Sequence, residues 1–121
     1  MRADQVAFIA PRIREMLQEG DGWCVRFSQE GNDSNWIEVA GSVLNIKYPH
    51  DQNPVELLKT LGVESAESLI TSSWSAGVYA TLEAPDREIY SLAKYVDQIF
   101  ERVLGLGGDY DVDAEIFQLA S

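Results

Sequence analysis

The chain has 121 residues, 45% of them hydrophobic and 24% charged, which suits one globular domain and lies outside the low-hydrophobicity regime of disordered chains. Twenty Asp and Glu against nine Lys and Arg give a net charge of −11, so phosphate backbones and anionic membrane surfaces are repelled and neither is an expected partner. A single cysteine, Cys24, and a single histidine, His50, forbid an internal disulfide and every multi-Cys or multi-His metal site.

From Ala3 to Glu19 the apolar residues Val6, Ile9, Ile13, Met16 and Leu17 recur three or four apart, which predicts an amphipathic helix. Pro11 interrupts it, so either a kink or a true start at Pro11 is expected. Gly20-Asp21-Gly22 ends it. Trp23 to Gln29 alternates, with Trp23, Val25 and Phe27 on one face and Cys24, Arg26 and Ser28 on the other. Glu30 to Asn35 is polar and is predicted as the turn into two further strands, Trp36–Ala40 and Ser42–Tyr48, joined by a hairpin at Gly41. Ile37, Val39, Leu44, Ile46 and Tyr48 share the core face of these strands.

Asn53-Pro54-Val55-Glu56 opens a short helix, because Asn caps and Pro suits the first helical position, and Gly62 stops it. Glu64 to Ser73 fits either helical turns or a strand and is taken as a strand on Leu69, Ile70 and Thr71. Ala76 to Glu83 alternates with Val78, Ala80 and Leu82 on the core side. After Ala84-Pro85-Asp86 the longest apolar stripe, Ile89, Leu92, Ala93, Val96, Ile99, Phe100 and Val103, predicts the main core helix up to Gly105. Residues 109–121 place an acid at every odd position up to Glu115, as an edge strand or a tail would.

The expected architecture is therefore α+β: helices packed on a twisted antiparallel sheet in the order α-β-β-β-α-β-β-α over residues 1–108, followed by an acidic C-terminal strand or tail at 109–121. No stretch approaches the roughly 20 apolar residues of a membrane span. Nor does the N-terminus carry the apolar region of a secretory signal. The unpaired thiol suits a reducing cytoplasm.

Few residues suggest chemistry. A Cys24–His50 nucleophile pair is the one covalent mechanism the inventory permits. Cys24, however, falls in mid-strand without a helix N-terminus to lower its pKa, and so reads as a small hydrophobe. His50 falls in a loop. Asp109, Asp111 and Asp113 mimic the first ligands of a calcium loop, but Ala114 stands where Gly is needed and Ala120 where a bidentate Glu is needed. No metal or cofactor is expected. Residues 1–63 hold nine acids and six bases, whereas 64–121 hold eleven acids and three bases, so the second half is the anionic surface. Trp36 and Tyr79 project opposite the core face, and Trp74 lies at a strand connection. These three, with Asp109, Asp111 and Asp113, are the candidate partner-binding residues.

In its order of elements and its acidity the chain resembles the class I type III secretion chaperones and the related YbjN-type (TY-Chap) peptide-binding domains. Residues 3–105 carry the resemblance: the opener Val6 to Leu17, the strands from Trp23 to Tyr48, Asn53 to Gly62, Trp74-Ser75-Ala76-Gly77-Val78-Tyr79, and Leu92-Ala93-Lys94-Tyr95-Val96. The resemblance implies no catalytic residues, a homodimer in many members, and an extended peptide held along apolar grooves. The segment from Asp109 onward lies outside the pattern. Three functions follow as expectations. First is a non-enzymatic module that binds a protein or an extended peptide. Second is an acidic immunity or inhibitor protein directed at a basic toxin. A Cys24-dependent enzyme is third.

Overall fold

The computed structural model describes residues 2–107 and 110–119, with side chains from residue 5 onward. The predicted fold class holds: the chain is α+β, and the described residues form three α-helices and a six-stranded antiparallel sheet of order β4-β5-β3-β2-β1-β6.

Helix α1 (Arg2–Glu19) runs through Pro11 without a break, so the helix does not begin at the proline. Ile9, Ala10, Ile13 and Met16 form its buried stripe. Burial of that stripe compensates for the hydrogen bond that proline removes. Strands β1 (Trp23–Gln29), β2 (Asn32–Ala40) and β3 (Val43–Lys47) form the expected meander. The first turn is shorter than the polar run Glu30–Asn35 implied. Gly31, at φ 84°, turns the chain at once, and Asn32 to Ser34 are an exposed polar extension of β2.

Helix α2 (Pro54–Thr60) follows its local signals closely. The Asn53 side chain accepts from the Glu56 N–H at 3.2 Å, and Gly62 takes φ 77° after the last turn. The ambiguous stretch after it contains both structures, a 3₁₀ turn (Ala66–Ser68) and then β4 (Ile70–Ser75). β5 (Tyr79–Glu83) begins later than its alternation implied. Ala76-Gly77-Val78 is the connecting turn, and Val78, expected in the core, is 59% exposed. Helix α3 (Ile89–Gln98) carries the main stripe and widens into a π-helical turn (Ile99–Val103) that keeps Ile99, Phe100 and Val103 all buried.

The segment after Asp109 resolves in favour of the strand. β6 (Val112–Gln118) pairs antiparallel with β1 in unbroken register from Trp23–Gln118 to Gln29–Val112. Tyr110 fixes its start. The Tyr110 hydroxyl donates to Asp97 Oδ1 at 2.7 Å, its ring lies 5.2 Å from that of Phe100, and its carbonyl accepts from the Gln5 amide.

All three helices contribute to one apolar cluster on the inner face of the sheet, with Val25, Phe27, Ile37, Val39, Leu44, Ile46, Tyr48, Ala80 and Leu82. The result is a two-layer domain whose outer sheet face carries no helix among the described residues.

Candidate binding surface on the outer sheet face

Because side chains alternate along a strand, strand register sorts the outer face into three rows that cross the sheet. One row runs Asp113, Ser28, Trp36, Lys47, Tyr79, Ser75; a second runs Glu115, Arg26, Glu38, Asn45, Thr81, Ser73; a third runs Phe117, Cys24, Ala40, Val43, Glu83, Ile70. The middle row is a polar network. Arg26 Nε donates to Glu38 Oε2 at 3.0 Å, Asn45 Nδ2 to Glu38 Oε1 at 3.4 Å, and Thr81 Oγ1 to Asn45 Oδ1 at 3.0 Å. Satisfied in this way, it can stay half-buried and hold neighbouring side chains in place.

The structure brings three of the candidate residues together in the first row. Trp36 and Tyr79 flank Lys47, and Asp113 ends the row at the sheet edge. Trp36 is braced by the Arg26 guanidinium, 5.5 Å from its ring centre. The Tyr79 hydroxyl lies 2.6 Å from Ser73 Oγ. Trp74 departs from the group, since it lies within β4 and not at a connection. Its register partner is the core residue Ala80, which puts it at the inner rim, edge-on to Tyr48 at 5.9 Å. Asp111 is exposed just before β6, where its carbonyl accepts from the Glu30 N–H. Asp109 lies outside the described residues.

The two reactive side chains are engaged separately. Cys24 is buried on the outer face, and burial, with Glu38 adding to it, pushes its thiol up to about 12. Such a thiol is protonated and unreactive at neutral pH. His50 Nε2 donates to the Val103 carbonyl at 2.8 Å and ties its loop to the end of the π-helical turn that follows α3. The calcium pattern is interrupted by β6, because Asp113 stands on an extended strand and not in a tight turn. Among the described residues, no group of three or more His, Cys, Asp and Glu could hold a metal ion. Likewise, no helix among them is long and apolar enough to cross a membrane.

Sequence reasoning missed a cleft between the 3₁₀ turn and α3, of about 170 Å³, below the roughly 300 Å³ at which small-molecule sites begin. Its shape depends on two hydrogen bonds, Tyr95 Oη to the Ser65 carbonyl at 2.9 Å and the Glu64 N–H to Gln98 Oε1 at 2.7 Å. Burial, with Glu67, Asp86 and Glu64 nearby, pushes the Tyr95 phenol up. Tyr95 and Gln98, three residues apart beside the apolar stripe of α3, are its trace in the sequence.

Comparison with known proteins finds no match to a family model, to a curated protein or to a solved structure.

Proposed function

We propose that this domain is a non-enzymatic protein-binding module that takes an extended segment of its partner, as the secretion chaperones and YbjN-type domains it resembles do. One observation carries the reading: among the described residues, a two-layer fold whose sheet leaves one face without a helix and both edge strands, β4 and β6, unpaired on one side. Backbone groups on such an edge supply affinity by strand addition, and side chains on the adjoining face supply selectivity. The Trp36–Lys47–Tyr79 row offers apolar contact on the open face, with Tyr79 on β5 beside the β4 edge and Trp36 on β2 one strand inside β1. The protonated, buried Cys24 supports a non-enzymatic role, and a lone reduced thiol supports a cytoplasmic setting.

A second reading, inhibition of a folded basic protein, is favoured by the acids concentrated in the second half of the chain. Replacing Trp36 and Tyr79 together by Ser separates the two. Since the inner face keeps Ile37, Ala80 and Leu82, the fold should survive. Partner affinity should then fall by on the order of a thousandfold if both aromatics anchor the segment. Unchanged affinity, together with steep salt dependence and no slowing of amide exchange along β4 or β6, would favour the inhibitor. Sedimentation of the isolated chain tests the homodimer that the resemblance suggests.

A further inference from the structure

The hydrogen bonds at the two ends of β6 fix which of its backbone groups are free. The Leu119 N–H donates to the Gly22 carbonyl at 2.7 Å, and the Glu30 N–H to the Asp111 carbonyl at 2.8 Å. In an antiparallel ladder the bonded residues alternate, so the odd-numbered residues of β6 bond β1. The N–H and C=O of Val112, Ala114, Ile116 and Gln118 therefore point away from the sheet. An added strand would bond to these even-numbered residues. Opposite Asp113 and Glu115 it would form non-bonded pairs, the positions at which cross-strand side chains come closest.

Both acids are exposed on the outer face, and among the described residues neither forms an ion pair, since Arg26 is engaged by Glu38. On the inner side of the same edge, an open recess is lined by Trp23, Ile116, Gln18, Glu15 and Glu19. Its floor of Trp23 and Ile116 is apolar, which suits the apolar side chains of an added strand that alternate to the inner side. A second copy of the chain would bring Asp113 and Glu115 against their own counterparts, so charge excludes it at this edge.

We infer that the free edge of β6 receives a basic, extended segment of a partner protein as a seventh strand, with Lys or Arg at two alternate positions facing Asp113 and Glu115. This rests on the strand-addition reading above and adds to it the edge used and the charge pattern of the segment.

The test uses fluorescein-labelled synthetic peptides of about ten residues, the length of a long strand. One alternates Lys and Val, one alternates Thr and Val, and one holds the Lys and Val residues in two separate blocks. Anisotropy at about 50 and about 300 mM salt gives affinity, and hydrogen exchange locates the bound segment. The alternating basic peptide should bind best, and should slow exchange at Val112, Ala114 and Ile116 while leaving the odd-numbered amides unchanged. Asp113→Lys with Glu115→Lys should weaken it roughly tenfold or more. Equal binding of the Thr peptide at the same amides would overturn the charge pattern while leaving strand addition standing. Equal binding of the blocked peptide would overturn the extended register in favour of general attraction. Protection confined to β4 would overturn the choice of edge. If no peptide binds, both this inference and the strand-addition reading fall.

Discussion

The two edges of the sheet meet one hazard, a row of unpaired backbone groups, with different devices. β4 (Ile70-Thr71-Ser72-Ser73-Trp74-Ser75) has no charged residue and is exposed along nearly its whole length. Its register against β5 shifts between Thr71 and Ser73, and such a bulge twists an edge away from straight pairing. β6 pairs with β1 without a shift and is anchored by Tyr110 and Val112, both nearly buried. Its protection is the charge of Asp113 and Glu115. A bulge discourages every partner alike, whereas a charge discourages only its own sign. An acidic edge on an acidic protein is therefore closed to its own copies and open to bases.

Four measurements bear on this contrast. The largest effect is expected from Phe100→Ala. Phe100 is fully buried and supports the Tyr110 ring, so unfolding by denaturant should show a loss of about 3 to 5 kcal/mol. Amide exchange should rise more in β6 than in β4. Equal rises would mean that pairing with β1 alone holds the acidic edge.

Alkali should act on each edge through its own group. Cys24 lies directly opposite Phe117 of β6, and Tyr48 touches Trp74 of β4. Burial raises the thiol from 9.0 to about 12 and the phenol from 10.0 to about 12. Folding therefore favours the protonated forms. Their contribution is intact below the unfolded values and is lost as pH climbs from about 9 towards 12. Cys24→Ala should flatten the lower part of that decline and Tyr48→Phe the upper part, as read from denaturation midpoints at each pH. Parallel curves for both variants and the parent chain would show that neither group titrates with unfolding.

Trp74→Ser should cost about 1 to 2 kcal/mol, since the ring is partly exposed and packs on Tyr48 from the rim. A loss as large as that for Phe100→Ala would make β4 the better-anchored edge. The smallest effect on stability, within about 0.5 kcal/mol, belongs to Asp113→Asn with Glu115→Gln. That variant should nonetheless associate with itself more than the parent chain in sedimentation. No added association would mean that charge is not what separates copies at β6.

What could be read from the sequence depended on whether the deciding interaction was local. The Asn53 cap, the Gly62 stop and the alternation of Ile37 with Val39 and of Leu44 with Ile46 lie within a few residues of what they determine, and they were legible. The outer position of Trp36 and Tyr79 followed from the same alternation. Register was not legible, because β1 meets β6 across most of the chain, and the Arg26–Glu38–Asn45–Thr81 network exists only once four strands are aligned. The polar extension of β2 was hidden by its composition, since Asn32 to Ser34 are strand only because Gly31 reverses the chain so tightly. Val78 was misplaced because its turn residues preserve the alternation of the strand that follows.

Cys24 also gives the molecule a native clock. The thiol is buried on the outer sheet face opposite Phe117 and stays protonated at neutral pH, so a thiol-modifying reagent must wait for β6 to part from β1 before it can react. Its rate relative to that of a free thiol then reads the opening equilibrium of this one strand, with no label added and no residue changed. A segment seated along β6 slows that clock. One seated along β4 leaves it running at the same pace.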